Sequence, residues 1–138
     1  MPLHTDDEIA HLLRNTKTIA MVGASDRPDR ASYGVMRFLL GRGYDVIPVN
    51  PQLAGQSIHG RTVVATLSEI EGGIDLVDIF RNSAAAGPVI DDAIAAGARA
   101  VWTQLGVFND EAIRRAEAAG LQTVVDKCPK IEIARLGL

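Results

Sequence analysis

Thr18-Ile-Ala-Met-Val-Gly-Ala-Ser-Asp26, followed after a short loop by Ser32-Tyr-Gly-Val-Met-Arg-Phe-Leu-Leu40, is the stretch that decides the fold. Ile19 to Val22 is an uncharged apolar run, the composition of a strand buried on both faces of a parallel sheet. Gly23 ends the run, and Ala24 and Ser25 are small. Ser32 suits the N-cap of a helix whose apolar positions are Val35, Met36, Leu39 and Leu40. A strand, a small-residue turn and a helix in that order aim backbone N–H groups and the positive end of a helix dipole at one point, which suits a phosphate. Arg27 and Arg30 in the loop add charge-assisted donors.

The flanking sequence repeats the alternation. Before the strand, Thr5-Asp-Asp-Glu8 has the capping-box spacing and Ile9, Leu12 and Leu13 follow on one helical face. After the helix come a strand over Tyr44–Val49, closed by Asn50-Pro51, then a short strand over Thr62–Ala65 and one helical turn at Thr66–Ile70. Gly72-Gly73 precedes a strand over Ile74–Phe80. A helix with Pro88 in its first turn carries Val89, Ile90, Ala93 and Ile94 and stops at Gly97. Ala98–Thr103 is a strand, Asn109 caps the next helix, Leu121–Val125 is the last strand, and a final helix starts near Pro129. Strands alternating with helices mean βαβ units with right-handed crossovers. The prediction is a single Rossmann-like α/β domain over residues 1–138, a three-layer α/β/α sandwich. Its mainly parallel sheet should hold about five to six strands. Ligands of such sheets bind at the carboxyl ends of the strands, which here are Gly23–Ser25, Asn50-Pro51, Phe80–Asn82, Gln104–Gly106 and Asp126–Cys128.

Composition narrows the function. A net charge of −3 offers no basic field for nucleic acid. No apolar run approaches the roughly 20 residues a bilayer span needs. The N-terminal Met-Pro-Leu-His-Thr-Asp-Asp-Glu8 is too polar and acidic for a signal peptide. The single cysteine, Cys128, excludes an internal disulfide and fits a reducing cytoplasm. The turn after the first strand reads Gly23-Ala-Ser-Asp-Arg-Pro28, not G-x-G-x-x-G, and Asn50 stands where dinucleotide-binding domains carry an acidic residue. There is no Walker A motif, no G-x-S-x-G elbow and no H-E-x-x-H. No His/Cys/Asp/Glu cluster suggests a metal, and no residue set suggests a catalytic centre. Asp75 is expected near the start of its strand, away from the ligand rim, and Asp78 to satisfy backbone groups. Arg81 falls at the rim, where a solvated surface position and a ligand contact are both open, and Trp102 reads as core.

Val22-Gly-Ala-Ser25, Arg30-Ala-Ser-Tyr33, Gly43–Pro51, Ile74–Arg81, Val101-Trp-Thr-Gln-Leu-Gly106 and Asp126-Lys-Cys-Pro-Lys-Ile-Glu132 together resemble the small stand-alone CoA-binding-domain family. That family is similar to the nucleotide-binding domain of the succinyl-CoA synthetase alpha subunit. The resemblance runs from about Thr5 to Leu136 and departs from the family pattern at Lys127 and Pro129. It implies a Rossmann-type sheet and a bound coenzyme A. It also implies that Gly23, Ala24 and Ser25 cradle the pyrophosphate, that Arg30 meets a phosphate with Tyr33 in the same block, and that Asn50 and Pro51 flank the adenosine. Phe80, Arg81, Gln104 and Gly106 would line the pantetheine side. An acid after the second strand would repel the 3′-phosphate, and Asn50 avoids this.

Cys128 reads first as a buried small hydrophobe; the second reading sets it at or just under the rim, where its sulfur would meet the ligand thiol and form a mixed disulfide under oxidising conditions. The reading is a binder of coenzyme A or a short acyl-CoA without chemistry of its own. The alternatives are an enzyme, either an NAD(P)-dependent oxidoreductase or an acyl-CoA transferase fragment, and a partner-binding subunit that uses CoA as a signal. A protein partner or a homo-oligomer is compatible with each.

Overall fold

The chain, described over residues 1–138 by a computed structural model, begins with α1 (Asp6–Arg14) and β1 (Thr18–Val22), then α2 (Ala31–Gly41) and β2 (Asp45–Val49). A small antiparallel hairpin follows, β3 (Ser57–Ile58) with β4 (Arg61–Thr62), and then a 3-10 turn over Leu67–Glu69. The remainder alternates strictly: β5 (Leu76–Ile79), α3 (Ser83–Ala95), β6 (Ala100–Thr103), α4 (Asp110–Ala118), β7 (Gln122–Val124) and α5 (Pro129–Leu136).

The five strands β2-β1-β5-β6-β7 form one parallel sheet in that order. Val64 adds a single parallel bridge to Val49 on the outer side of β2. It donates to the Pro48 carbonyl at 3.0 Å and accepts from the Asn50 N–H at 2.9 Å. With this bridge as a vestigial sixth strand, the order is that of the Rossmann fold, with chain order reversing between β1 and β5. The strand expected over Thr62–Ala65 shrinks to this one bridge, because Arg61 and Thr62 are held in the hairpin instead.

Alternation along the strands explains the three layers. Ile19, Met21, Leu76, Ala100 and Trp102 project to one face, beneath α1, α2 and α5. Ala20, Val22, Val77, Ile79 and Val101 project to the other, beneath α3 and α4. The central strands β1, β5 and β6 thus bury apolar residues on both sides, with Asp78 on β5 the exception. Trp102 is fully buried, and its indole N–H donates to the Lys127 carbonyl at 2.8 Å, so no polar atom of the ring is stranded. Asp75 sits at the amino end of the sheet, accepting from the N–H groups of Lys17 and Thr18 at 2.9 and 3.0 Å. No helix is long and apolar enough to cross a membrane.

Two helix starts differ from the sequence expectation. Arg30, not Ser32, is the N-cap of α2; Ser32 lies inside the first turn and its Oγ accepts from the Ser25 N–H at 3.1 Å. α3 starts at Ser83, because Asn82 caps it by accepting from the Ala85 N–H at 2.8 Å. Pro88 is consequently in the helix interior, where its missing N–H leaves the Ala84 carbonyl without a helical donor. Asp78 is the third departure. Its carboxyl is fully buried on β5 and neither oxygen has a hydrogen-bond partner, so it does not satisfy backbone groups.

Candidate functional site

The crossover pattern opens a crevice where chain order reverses, between the loops that follow β1 and β5. A cleft of about 530 Å³ occupies it. The β1–α2 loop contributes Gly23, Ala24, Ser25, Arg27 and Arg30; Asn50 comes from the end of β2, Phe80 and Arg81 from β5, and Gln104 from β6. A second hollow of about 580 Å³ shares Gly23, Asn50, Phe80 and Arg81 with the first and continues past Pro51 to Leu67, Val89 and Asp92. The two form one bent groove across the strand ends. A further hollow of about 640 Å³ lies at the opposite end of the sheet, around His11, Asp75 and Arg99.

Gly23 makes the crevice possible. Its φ is +87°, and a Cβ there would lie 2.3 Å from the Phe80 carbonyl oxygen. Only glycine lets β1 end this close to β5. The expected backbone cradle needs correction, because its donors are engaged within the chain. The N–H groups of Gly23 and Ala24 point at the Val49 carbonyl at 3.0 and 3.4 Å. Those of Ser25 and Arg27 donate to Ser32 Oγ and Ser25 Oγ, both at 3.1 Å. Asn50 locks the loop from the other side, donating to the Ala24 carbonyl and accepting from the Gln52 N–H, both at 2.9 Å.

The available donors are one turn further on. Thr5, Asn82 and Asn109 cap α1, α3 and α4 with their side chains, whereas α2 has no side-chain cap and no acidic residue in its first turn. The N–H groups of Ala31 and Ser32 have no partner within the chain, and both residues line the cleft. Around them the charge is positive. Arg27 is 3.7 Å from Asp29, while Arg30 and Arg81 have no carboxylate within ion-pair distance. Asp26 is the one acid on this cleft. On the cleft wall beyond Phe80, Gln104 Oε1 is buried with no hydrogen-bond partner, an acceptor that lacks a donor. Asp78 lies one pleat below on the same sheet face, opposite Met21 and Trp102 in the strand register. Burial pushes its carboxyl well above the usual aspartate value.

A family model described as a CoA binding domain matches residues 17–134. The chain belongs to the CoA-binding domain family. The Bacillus subtilis (strain 168) protein YneT is 38% identical over 124 residues, 90% of either chain. A solved hypothetical protein from Pyrococcus horikoshii OT3 superposes with a TM-score of 0.93 at 37% identity, over 100% of this chain and 97% of that one. The dinucleotide forming acetyl-coenzyme A synthetase 1 of Ca. Korarchaeum cryptofilum contains a similar unit, with a TM-score of 0.68 at 27% identity over 80% of this chain and 26% of that one.

In this CoA-binding domain, most residues picked from the sequence converge on the groove, and three do not line it. Tyr33 faces the β3–β4 hairpin, with its ring 4.1 Å from that of His59 and its carbonyl 2.9 Å from His59 Nε2. Gly106 has φ +76° and donates its N–H to Asp126 at 2.7 Å, so it shapes the loop rather than the wall. Cys128 is the N-cap residue of α5, 6% exposed and packed in the core under α1, α2 and α5. Its thiol therefore stands behind the sheet end and not at the rim. The groove also recruits residues that the sequence did not single out: Asp26, Gln52, Leu53 and Val107. Gln52 was within reach of the strand-end rule, being one residue past Pro51, and Asn82, which that rule included, lines the groove as well.

Proposed function

We propose that this chain binds coenzyme A, or a short acyl-CoA, along the groove across the ends of β1, β2, β5 and β6, and contributes no catalytic group. The observation that carries this reading is the uncapped start of α2. Unpaired N–H groups on Ala31 and Ser32, a first turn without acids, and Arg30 and Arg81 without carboxylate partners make a site for a pyrophosphate. Coenzyme A supplies the pyrophosphate and also a 3′-phosphate, for which Arg27 and Arg30 are the nearest cations on the loop. Asn50 and Pro51 border the adenosine end. The pantetheine arm runs past Phe80 and Arg81 towards Gln104, which lines the far wall of the cleft. Gly23, Ala24 and Ser25 form the floor, and Gly106 shapes the loop behind Gln104 through its bond to Asp126. The lone cysteine is in keeping with a reducing, cytoplasmic setting.

The same geometry disfavours NAD. Asn50 spends both ends of its amide on the chain and offers no carboxylate to a ribose. Calorimetry with coenzyme A, dephospho-CoA and NAD tests the reading. Coenzyme A should bind most tightly, and dephospho-CoA should lose about 1.5–3 kcal/mol, the worth of a hydrogen bond to a charged group. Equal affinity for NAD and coenzyme A would overturn it.

A further inference from the structure

Two side chains on one face of the sheet have sealed polar atoms without partners, and the strand register sets them near each other. Asp78 is 0% exposed on β5, and neither carboxyl oxygen is hydrogen-bonded. Gln104 directly follows β6 and lines the cleft, yet its Oε1 is sealed from solvent with no donor. Asp78 is in register with Trp102, so Gln104 stands one strand across and two residues on. Such positions share a face and lie about 8 Å apart at the Cα atoms, a gap that a carboxyl and a carboxamide span between them. Along its own segment the donors beside Gln104 are committed. The Trp102 indole N–H goes to the Lys127 carbonyl, the Thr103 hydroxyl to the Val107 carbonyl and the Gly106 N–H to Asp126. No base faces Asp78 to take its proton. Its register partners are Met21 and Trp102, and the buried residues of α1 and α2 are uncharged. From α5 come Cys128 and Glu132, the latter paired with Arg135 at 2.9 Å. Burial therefore favours the neutral carboxyl, which has one O–H to donate.

We propose that Asp78, in its protonated form, donates a hydrogen bond to Gln104 Oε1 and so holds the Gln104 amide with its Nε2 in the cleft, where it donates to a carbonyl oxygen of the pantetheine arm. This rests on the coenzyme A reading above, which brings that arm past Phe80. Asp78 is a positioning residue, since it acts on the ligand only through Gln104. Its proton sets the polarity of the cleft wall. An ionised Asp78 would accept, draw Nε2 inward and turn Oε1 outward, so that the same glutamine met the ligand carbonyl with an acceptor. The stability of the strand does not call for a carboxyl here, because an apolar residue at this position would avoid the cost of burying one.

The test compares coenzyme A with 3′-phosphoadenosine 5′-diphosphate, the same anion without pantetheine. Calorimetry is run on the wild type, Gln104→Met, Asp78→Asn, Asp78→Val and the double variant Asp78→Val/Gln104→Met, with folding checked by far-UV circular dichroism. Valine suits a strand and buries no polar atom, and Asp78→Ala replaces it should it fail to fold. Gln104→Met and Asp78→Val should each weaken coenzyme A binding about fivefold, the worth of one neutral hydrogen bond, and leave the pantetheine-free ligand unchanged. Asp78→Asn, whose amide still donates, should bind as the wild type does. The double variant should lose no more than either single one, because both remove the same contact. Wild-type affinity for coenzyme A in Asp78→Val or in Gln104→Met overturns the proposal, and so does an additive loss in the double variant. An equal loss for both ligands in Asp78→Val also overturns it, since that is the mark of a merely structural residue. A wild type that binds neither ligand overturns the coenzyme A reading itself, and the role of Asp78 with it.

Discussion

Replacing Asp78 with asparagine should change how stability depends on pH. The carboxyl is fully buried on the central strand, neither oxygen is hydrogen-bonded, and burial raises its pKa well above the ordinary value of 3.8. Its register partners Met21 and Trp102 offer no charge to counter this. In the unfolded chain the same group titrates normally. Below that value both states carry the proton and the residue contributes no pH dependence. Above it the unfolded state ionises first, so the native state is progressively disfavoured as pH rises, until the pH passes the raised native value and the penalty becomes constant. One proton separates the two states, so the slope reaches about 1.4 kcal/mol per pH unit. Asp78→Asn keeps the shape and removes the proton. Urea unfolding of both proteins at steps from about pH 4.5 to about pH 8 isolates this one group, because the remaining titrations cancel in the difference. The wild type should lose stability relative to the variant as pH increases. A difference that stays flat across the range would refute the argument, since it would mean that the carboxyl ionises in the folded protein as it does in water.

Gly23→Ala should destabilise the fold itself, not merely weaken ligand binding, because its Cβ would meet the Phe80 carbonyl and φ is +87°. The backbone strain alone is worth about 1–3 kcal/mol, readable as a lower thermal midpoint. Asn50→Asp should loosen the β1–α2 loop by removing the donor to the Ala24 carbonyl, costing about 1 kcal/mol, and should weaken coenzyme A binding by placing a negative charge beside the groove; chemical unfolding and calorimetry separate the two effects. Cys128, 6% exposed in the core, should form no adduct with CoA disulfide in the folded protein and should react once the chain is unfolded in guanidinium. Intact-protein mass spectrometry distinguishes these outcomes, and an adduct on the folded protein would show that the thiol is reachable from the groove.

Local chemistry made much of this legible in the sequence. Thr5 and Glu8 form the capping box their spacing announced, and the doubly apolar strands are buried on both faces. Strand-end positions identified most of the groove, because in a parallel sheet chain order alone assigns the carboxyl ends to one side. The failures came where two local solutions compete. Ser32 is as good a cap by composition as any, but closing the preceding loop requires its hydroxyl, and Arg30 takes the cap position with no side-chain bond. Pro88 looked like a first-turn proline, yet Asn82 caps the chain earlier by accepting from the Ala85 N–H, which puts the proline inside the helix. The burial of Asp78 depends on how α2 and α5 close over the sheet, a tertiary property that the residues on either side do not encode, whereas the reading of Cys128 as a small buried residue holds.

On the outer side of β2, Pro48 has no N–H to offer and its carbonyl is already bound by Val64. On the far side of β7, the Thr123 carbonyl is taken by the Leu3 N–H at 2.7 Å. A parallel sheet of this kind would otherwise present two open templates, each able to recruit a strand from another chain and so to seed edge-to-edge growth. Both templates are blunted by single residues. At these positions a strand from another chain would find no free partner, so edge-to-edge growth is disfavoured there.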